Sequence, residues 1–211
     1  MNVKFRTIVY IDGFNFYYGQ LRGTPYKWLN LTKLFNSLLS EENNLIKIKY
    51  FTTRVSASNH NPLIAHRQNA YLRALEVCCP EVETFFGHFL RHRIFAENAY
   101  PPPEKIAIYK TEEKGSDVNL ALHLLNDAWL DHYDCSVIVS NDSDLSIALK
   151  MVREERQKTL GLITPGFPKR RISKELKKHA NFTKIIRPWI LEQSLLPAMI
   201  PGTKIRKPDT W

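Results

Sequence analysis

The chain has 211 residues, of which 44% are apolar and 24% charged, so it is long enough to bury a full α/β core, and neither a disordered nor a fibrous polymer fits. Three cysteines, two of them adjacent, exclude a disulfide framework and a CxxC zinc site; no apolar run reaches the roughly 18 residues a bilayer span needs, and the first residues lack a signal-peptide pattern. These features lead to the expectation of a cytoplasmic protein that makes no membrane contact. The net charge of +9 is unevenly placed: residues 1–150 balance 16 Lys+Arg against 16 Asp+Glu, whereas residues 151–211 carry 14 against 5. A concentration of that kind, centred on "PKRRISKELKKH", favours a polyanion such as a nucleic acid backbone over a solvated helix face.

In chain order, "RTIVYI" reads as a buried strand ended by Asp12-Gly13. Leu31, Leu34, Phe35, Leu38 and Leu39 keep helical spacing, "LIKIKYFTTRV" alternates as a second strand, and Pro62 opens a helix through residue 77. "VETFFGHFLRHRIF" reads as one strand with His88 and Arg91 toward solvent, and the three prolines of "ENAYPPPEK" place a surface loop after it. "KGSDVNLALHLLNDAWLDHY" is a helix entered through Gly115 and Ser116, with Val118, Ala121, Leu122, Leu125, Ala128 and Trp129 expected on its apolar face. "CSVIVS" is a buried strand, 143–157 a helix, "TLGLITP" a strand, 172–180 a short basic helix and "FTKIIRP" the last strand. The expected organisation is one domain over 1–187 followed by an extended tail, 188–211, packed upon it.

Alternating β and α elements with continuously apolar strands imply a parallel sheet covered on both faces, and such sheets place ligands at the carboxyl ends of their strands. Four aspartates fall at those positions. Asp12 closes the first strand, Asp142 and Asp144 follow "VIVS", and Asp117 opens the long helix. Each alone is explained as a turn or a cap. Together at one sheet edge they would repel, raising one another's pKa, unless a hard divalent cation such as Mg²⁺ or Mn²⁺ is held between them. Such an ion serves in-line displacement at a phosphodiester, and Phe14, Phe16, Tyr17 and Tyr18 are either base-stacking groups or, more simply, packing residues. His88 and His92 form an HxxxH without a third ligand, and His60 and His66 have less context still.

"YIDGFNFYYG", "KGSDVNLALHLL" and "VIVSNDSDLSIAL", in that order, resemble the signature segments of the NYN family of PIN-like ribonucleases, particularly its LabA-like branch, over about Thr7 to Thr164. The end "SLLPAMIPGTKIRKPDTW" is similar to the tails of those proteins. The resemblance implies a PIN-like three-layer α/β/α sandwich with a central, mainly parallel sheet, and metal-dependent endoribonuclease activity. It implies Asp12, Asp117, Asp142 and Asp144 as Mg²⁺ or Mn²⁺ ligands, with Asn15 and Ser140 ordering water or the scissile phosphate. Asn141 departs from the small residue many relatives carry there. Lys114, Lys169, Arg170 and Arg171 are the expected RNA contacts, and a homodimer is a further expectation. The competing readings are an RNA-binding domain without cleavage and a nucleotide-sugar glycosyltransferase using Asp142 and Asp144 as its DxD; the basic C-terminal third and "YIDGFN" oppose the second.

Overall fold

The computed structural model describes residues 4–57, 61–100, 104–166, 168–209 and 211. His60, Pro101–Pro103 of the expected proline loop, and Thr210 of the tail lie outside the described residues.

Six strands form one sheet in the order β3-β2-β1-β6-β7-β8: β1 (Phe5–Asp12), β2 (Asn43–Thr52), β3 (Val82–Phe86), β6 (Cys135–Val139), β7 (Thr159–Ile163) and β8 (Phe182–Lys184). Every neighbouring pair in it runs parallel. The pleat sends alternate residues to opposite faces, which is why β1 is apolar without interruption from Ile8 to Ile11. Val9 and Ile11 join one core with α2 (Leu31–Leu38), α3 (Ile64–Cys78) and the C-terminal segment. Ile8 and Tyr10 join the other with α4 (Ser116–Trp129) and α5 (Ser146–Arg156). These are the three layers of a PIN-like α/β/α fold.

The buried face of α4 is Leu120, Leu124 and Ala128, with Ala121 and Leu125 at its border, while Val118, Leu122 and Trp129 are exposed. The expected face therefore points too far round the helix. Apolar residues occur on nearly all sides of α4, so spacing alone does not fix which side meets the sheet. Beneath the buried side, Lys49 Nζ lies 2.6 Å from Asp127 Oδ2, and the Tyr10 hydroxyl donates to the same oxygen at 2.6 Å.

"VETFFGHFLRHRIF" is two strands rather than one. β3 ends at Phe86, Gly87 intervenes, and β4 (His88–Glu97) leaves the main sheet to pair antiparallel with β5 (Lys105–Lys114) as a separate two-stranded ribbon. At the crossing, a Cβ on Gly87 would strike the Glu113 carboxylate and stand 2.6 Å from the Lys114 carbonyl oxygen, so only glycine fits this close approach. β5 is a strand that the sequence pattern does not announce. The C-terminal segment, expected to be extended, opens with a short helix (Pro188–Gln193); Ile190, Leu191, Leu196, Ile200 and Ile205 are buried in the core.

Candidate active site

The chain runs outward from β1 to β2 and β3, then crosses back to β6 on the other side of β1. Their carboxyl ends therefore flank the point where the connection reverses direction, the position at which open parallel sheets hold ligands. Register places Ile11 opposite Val139, which sets Asp12 beside Ser140.

Asp12 is 3% exposed, and both its oxygens are engaged. Oδ1 accepts from the Asn15 backbone N–H at 2.9 Å, capping the short helix α1 (Gly13–Phe16), and Oδ2 accepts from the Ser140 hydroxyl at 2.8 Å. Burial raises the Asp12 carboxyl above the ordinary aspartate value; the Asn15 and Ser140 donors pull it back, and nearby Asp142 raises it again. Ser140 Oγ also accepts from the Asp142 N–H at 3.0 Å, while Asp142 Oδ1 accepts from the Asp144 N–H at 3.0 Å, capping the 3₁₀ turn Ser143–Leu145 that precedes α5.

Asp117 sits in the first turn of α4, aimed by Gly115, whose φ of 98° only glycine adopts readily. Its carboxyl is pushed up to about 6, first by burial and then by Asp12, Asp142, Glu113 and Asp144. The other three expected aspartates thus all bear on Asp117. The same set of influences adds one residue that sequence reasoning missed. Glu113 Oε1 accepts from Thr53 Oγ1 at 2.8 Å and from Ser116 Oγ at 2.7 Å, fixing the entry to α4. Within "TEEKGSD" it resembles an ordinary exposed acid; only the fold of β5 carries it inward. A second missed residue is Thr164, at the end of β7: it is 1% exposed and its hydroxyl has no hydrogen-bond partner.

Among the described residues, no three His, Cys, Asp or Glu side chains stand close enough together to hold a metal ion as they are placed. The donor set nonetheless suits a hard divalent ion: its oxygens are carboxylate oxygens, four of the acids bear on Asp117, and an unpartnered hydroxyl lies at the same sheet edge.

The basic residues divide. Arg170 Nη1 donates to Asn15 Oδ1 at 2.9 Å, so this arginine belongs to the site, with exposed Lys169 and Arg171 beside it in the loop. Asn141 holds that loop, since its Nδ2 donates to the Arg171 carbonyl at 3.0 Å and its Oδ1 accepts from the Ser173 N–H at 2.7 Å. Gln20 holds the other end, accepting from the Gly166 N–H at 2.9 Å. Lys114 is instead 3.5 Å from Glu112 on the ribbon. Of the four aromatics, Phe16 is buried and Tyr17 packs on the core, whereas Tyr18 is 57% exposed and stacks with Phe14, their centroids 6.4 Å apart. His88 and His92 lie on the ribbon, His92 facing Glu112 at 4.0 Å, and His66 is in α3.

The chain is 33% identical to a 6-hydroxy-3-succinoylpyridine 3-monooxygenase of Pseudomonas putida, an alignment covering 98% of this chain and 75% of that protein. Its fold is similar to a crystal structure of a protein of unknown function from Vibrio parahaemolyticus, with a TM-score of 0.56 at 16% identity, covering 93% of this chain and 99% of the other. Residues 6–187 match the NYN domain, and the chain belongs to that family.

Proposed function

We propose that the chain is a Mg²⁺- or Mn²⁺-dependent endoribonuclease of the LabA-like branch, with Asp12, Asp117, Asp142 and Asp144 as the residues that hold the ion. The observation that carries this reading is the Asp117 carboxyl raised to about 6 by burial beside four other acids, an arrangement that costs stability and that a divalent cation repays. Family membership supports it, because NYN domains are PIN-like nucleases.

An ion held there would supply positive charge to a phosphodiester undergoing in-line displacement and make hydroxide available near neutral pH. The chain's own residues do the positioning. Ser140 and the Asn15 N–H fix Asp12 so that its charge meets the ion without rearrangement. Arg170, held over the site by Asn15, is placed to bind a phosphate oxygen of the strand. Lys169 and Arg171 extend the same positive loop.

The test is cleavage of single-stranded RNA with and without Mn²⁺. Asp12→Asn and Asp142→Asn should abolish it while the fold is kept; full activity in both variants, freed of host nuclease, would defeat the reading. Binding without metal-dependent cleavage would leave the domain a non-catalytic RNA binder.

A second reading is favoured by the Pseudomonas relative, whose name is that of a monooxygenase for a substituted pyridine. A cavity of about 120 Å³ lined by Phe14, Tyr17, Tyr50, Tyr71 and Trp211 would admit one small aromatic ring beside α1. Oxygen uptake that depends on both 6-hydroxy-3-succinoylpyridine and an added two-electron donor such as a reduced nicotinamide, with RNA left intact, would establish this reading over the first.

A further inference from the structure

The β4–β5 ribbon has a register that sorts its side chains into two unlike faces. On the face of the even-numbered residues, His92 opposes Lys110, Ile94 opposes Ile108, and Glu112 lies between Lys110, Lys114 and His92, so both lysines there share an acid partner. The odd-numbered face is different. Arg91 opposes Thr111, Arg93 opposes Tyr109 and Phe95 opposes Ala107, and all six are exposed. Arg91 lies over the Tyr109 ring at 4.5 Å and Arg93 over Phe95 at 5.3 Å, and neither arginine has a carboxylate partner among the described residues. Phe95 is 66% and Tyr109 68% exposed.

The same face runs into the acid site. At the root of the ribbon it carries Phe89, whose ring meets Phe14 edge-on at 6.0 Å, and opposite it Glu113, which anchors the start of α4 and bears on Asp117. β5 then passes through Lys114 and Gly115 directly into the turn that holds Asp117.

We propose that the odd face of the β4–β5 ribbon is a track for single-stranded RNA, on which bases stack against Phe89, Tyr109 and Phe95 while Arg91 and Arg93 take phosphates, leading the strand to the acidic pocket. Exposed aromatic rings interleaved with arginines are what an unpaired strand requires. Every base has a face to stack, and the guanidinium is charged at all working pH values. A rigid duplex keeps its bases stacked inside and cannot use the rings. Two carboxylates lie on this face, Glu97 opposite Lys105 at the tip and Glu113 at the root, so neither interrupts the stretch from residue 91 to 95. This track rests on the nuclease reading for its destination and not for its binding chemistry.

The experiment measures anisotropy of a short, end-labelled single-stranded RNA with the full chain in EDTA, across a salt series, and of the same RNA annealed to its complement. Replacing Arg91→Gln with Arg93→Gln should lower the slope of log affinity against log salt by about 1.4, roughly 0.7 for each phosphate no longer neutralised. Phe95→Ala with Tyr109→Ala should weaken single-strand binding by about 5-fold or more per ring and leave duplex binding unchanged. Ile106→Thr, on the even face, should change neither. Wild-type binding by both double variants overturns the track; if the wild type still cleaves RNA with Mn²⁺, the nuclease reading survives that result. Absence of any RNA binding by the wild type in EDTA overturns the track, and absence of cleavage with Mn²⁺ as well overturns both. A dimer, seen by light scattering, that the odd-face variants convert to monomer without loss of RNA affinity would make the ribbon a protein interface and overturn the track as well.

Discussion

The hydroxyl of Ser140 joins two strand-end acids, donating to Asp12 Oδ2 at 2.8 Å while accepting from the Asp142 N–H at 3.0 Å. Because Asp12 is otherwise pushed toward its neutral form by burial, this donor helps keep it charged. Ser140→Ala should therefore move the acid limb of the pH–rate profile upward and slow RNA cleavage about 10- to 100-fold, the worth of a buried hydrogen bond to a charged group. Ser140→Thr, which retains the hydroxyl, should recover much of the loss. An alanine variant whose acid limb does not move would show that Ser140 only packs.

Asp117 predicts a dependence of stability on pH with a definite sign. Its folded value of about 6 lies above the ordinary 3.8, so between those values the native state holds a proton that the unfolded chain has lost. The native state gains from this group at low pH and loses that contribution as pH rises through about 6. Asp117→Asn should accordingly melt above the wild type near neutral pH, by an increment on the order of 1–2 kcal/mol, and the difference should vanish in acid. Mn²⁺ should raise the wild-type melting temperature and leave the asparagine variant nearly unmoved. A variant less stable than wild type at neutral pH would contradict the strained-acid account.

Local signals carried much of this architecture. The apolar runs of β1, β6 and β7 are unambiguous because strands buried on both faces have no polar alternation to obscure them, and the family segments mark where the acids stand. Glu113, by contrast, is invisible in sequence because its role depends on β5, a strand that among the described residues pairs with β4 alone and is exposed along most of its length. The break at Gly87 is hidden for a related reason. Both flanking stretches have strand composition, and the need for glycine comes from contacts with Glu113, Lys114 and Thr53, distant in the chain. Arg170 and Asn15 are 155 residues apart, so their contact could not be read from either neighbourhood.

Gly87→Ala should act at that crossing. The added methyl meets the Glu113 carboxylate and the backbone of Lys114, so the ribbon must shift or Glu113 must release Ser116 and Thr53. Overpacking of this kind costs about 1–3 kcal/mol. The chemical shift changes should extend from the ribbon root to the first turn of α4 and leave β6 to β8 undisturbed. Confinement of the changes to Gly87 and its chain neighbours would show the ribbon is not coupled to Asp117.

Far from the acid edge, Lys49 and Asp127 test the sheet–helix layer itself. Their side chains are 9% and 4% exposed, and Asp127 also accepts from Tyr10. Burial raises the Asp127 carboxyl, but the Lys49, Tyr10 and His132 contacts outweigh it and hold the group below its ordinary value. Lys49→Met removes the partner and leaves a buried charge, which should cost about 3–5 kcal/mol in denaturant unfolding. The pair's contribution is present above the ordinary aspartate value and is lost as pH falls through the depressed folded one, so the deficit should shrink in acid. A loss below about 1 kcal/mol would mean that water reaches the pair.

Asn141 separates a loop-positioning role from a catalytic one. It touches none of the four aspartates through the bonds described, yet its amide clamps both the Arg171 carbonyl and the Ser173 N–H, setting where Lys169, Arg170 and Arg171 stand relative to β6. Asn141→Ala should free that loop, raise KM for RNA several-fold and leave kcat for bound substrate close to wild type, since the charges remain present but are no longer placed in advance. Neutralising Lys169, Arg170 and Arg171 together removes the charges themselves and should flatten the salt dependence of RNA affinity by up to about 2 units, roughly 0.7 for each phosphate bound on a single strand. The two variants thus differ in kind: one weakens binding with the salt slope kept, the other changes the slope. If Asn141→Ala lowers kcat with KM unchanged, the clamp is serving Asp142 and Asp144 rather than the strand, and the basic loop is solvated surface beside the site.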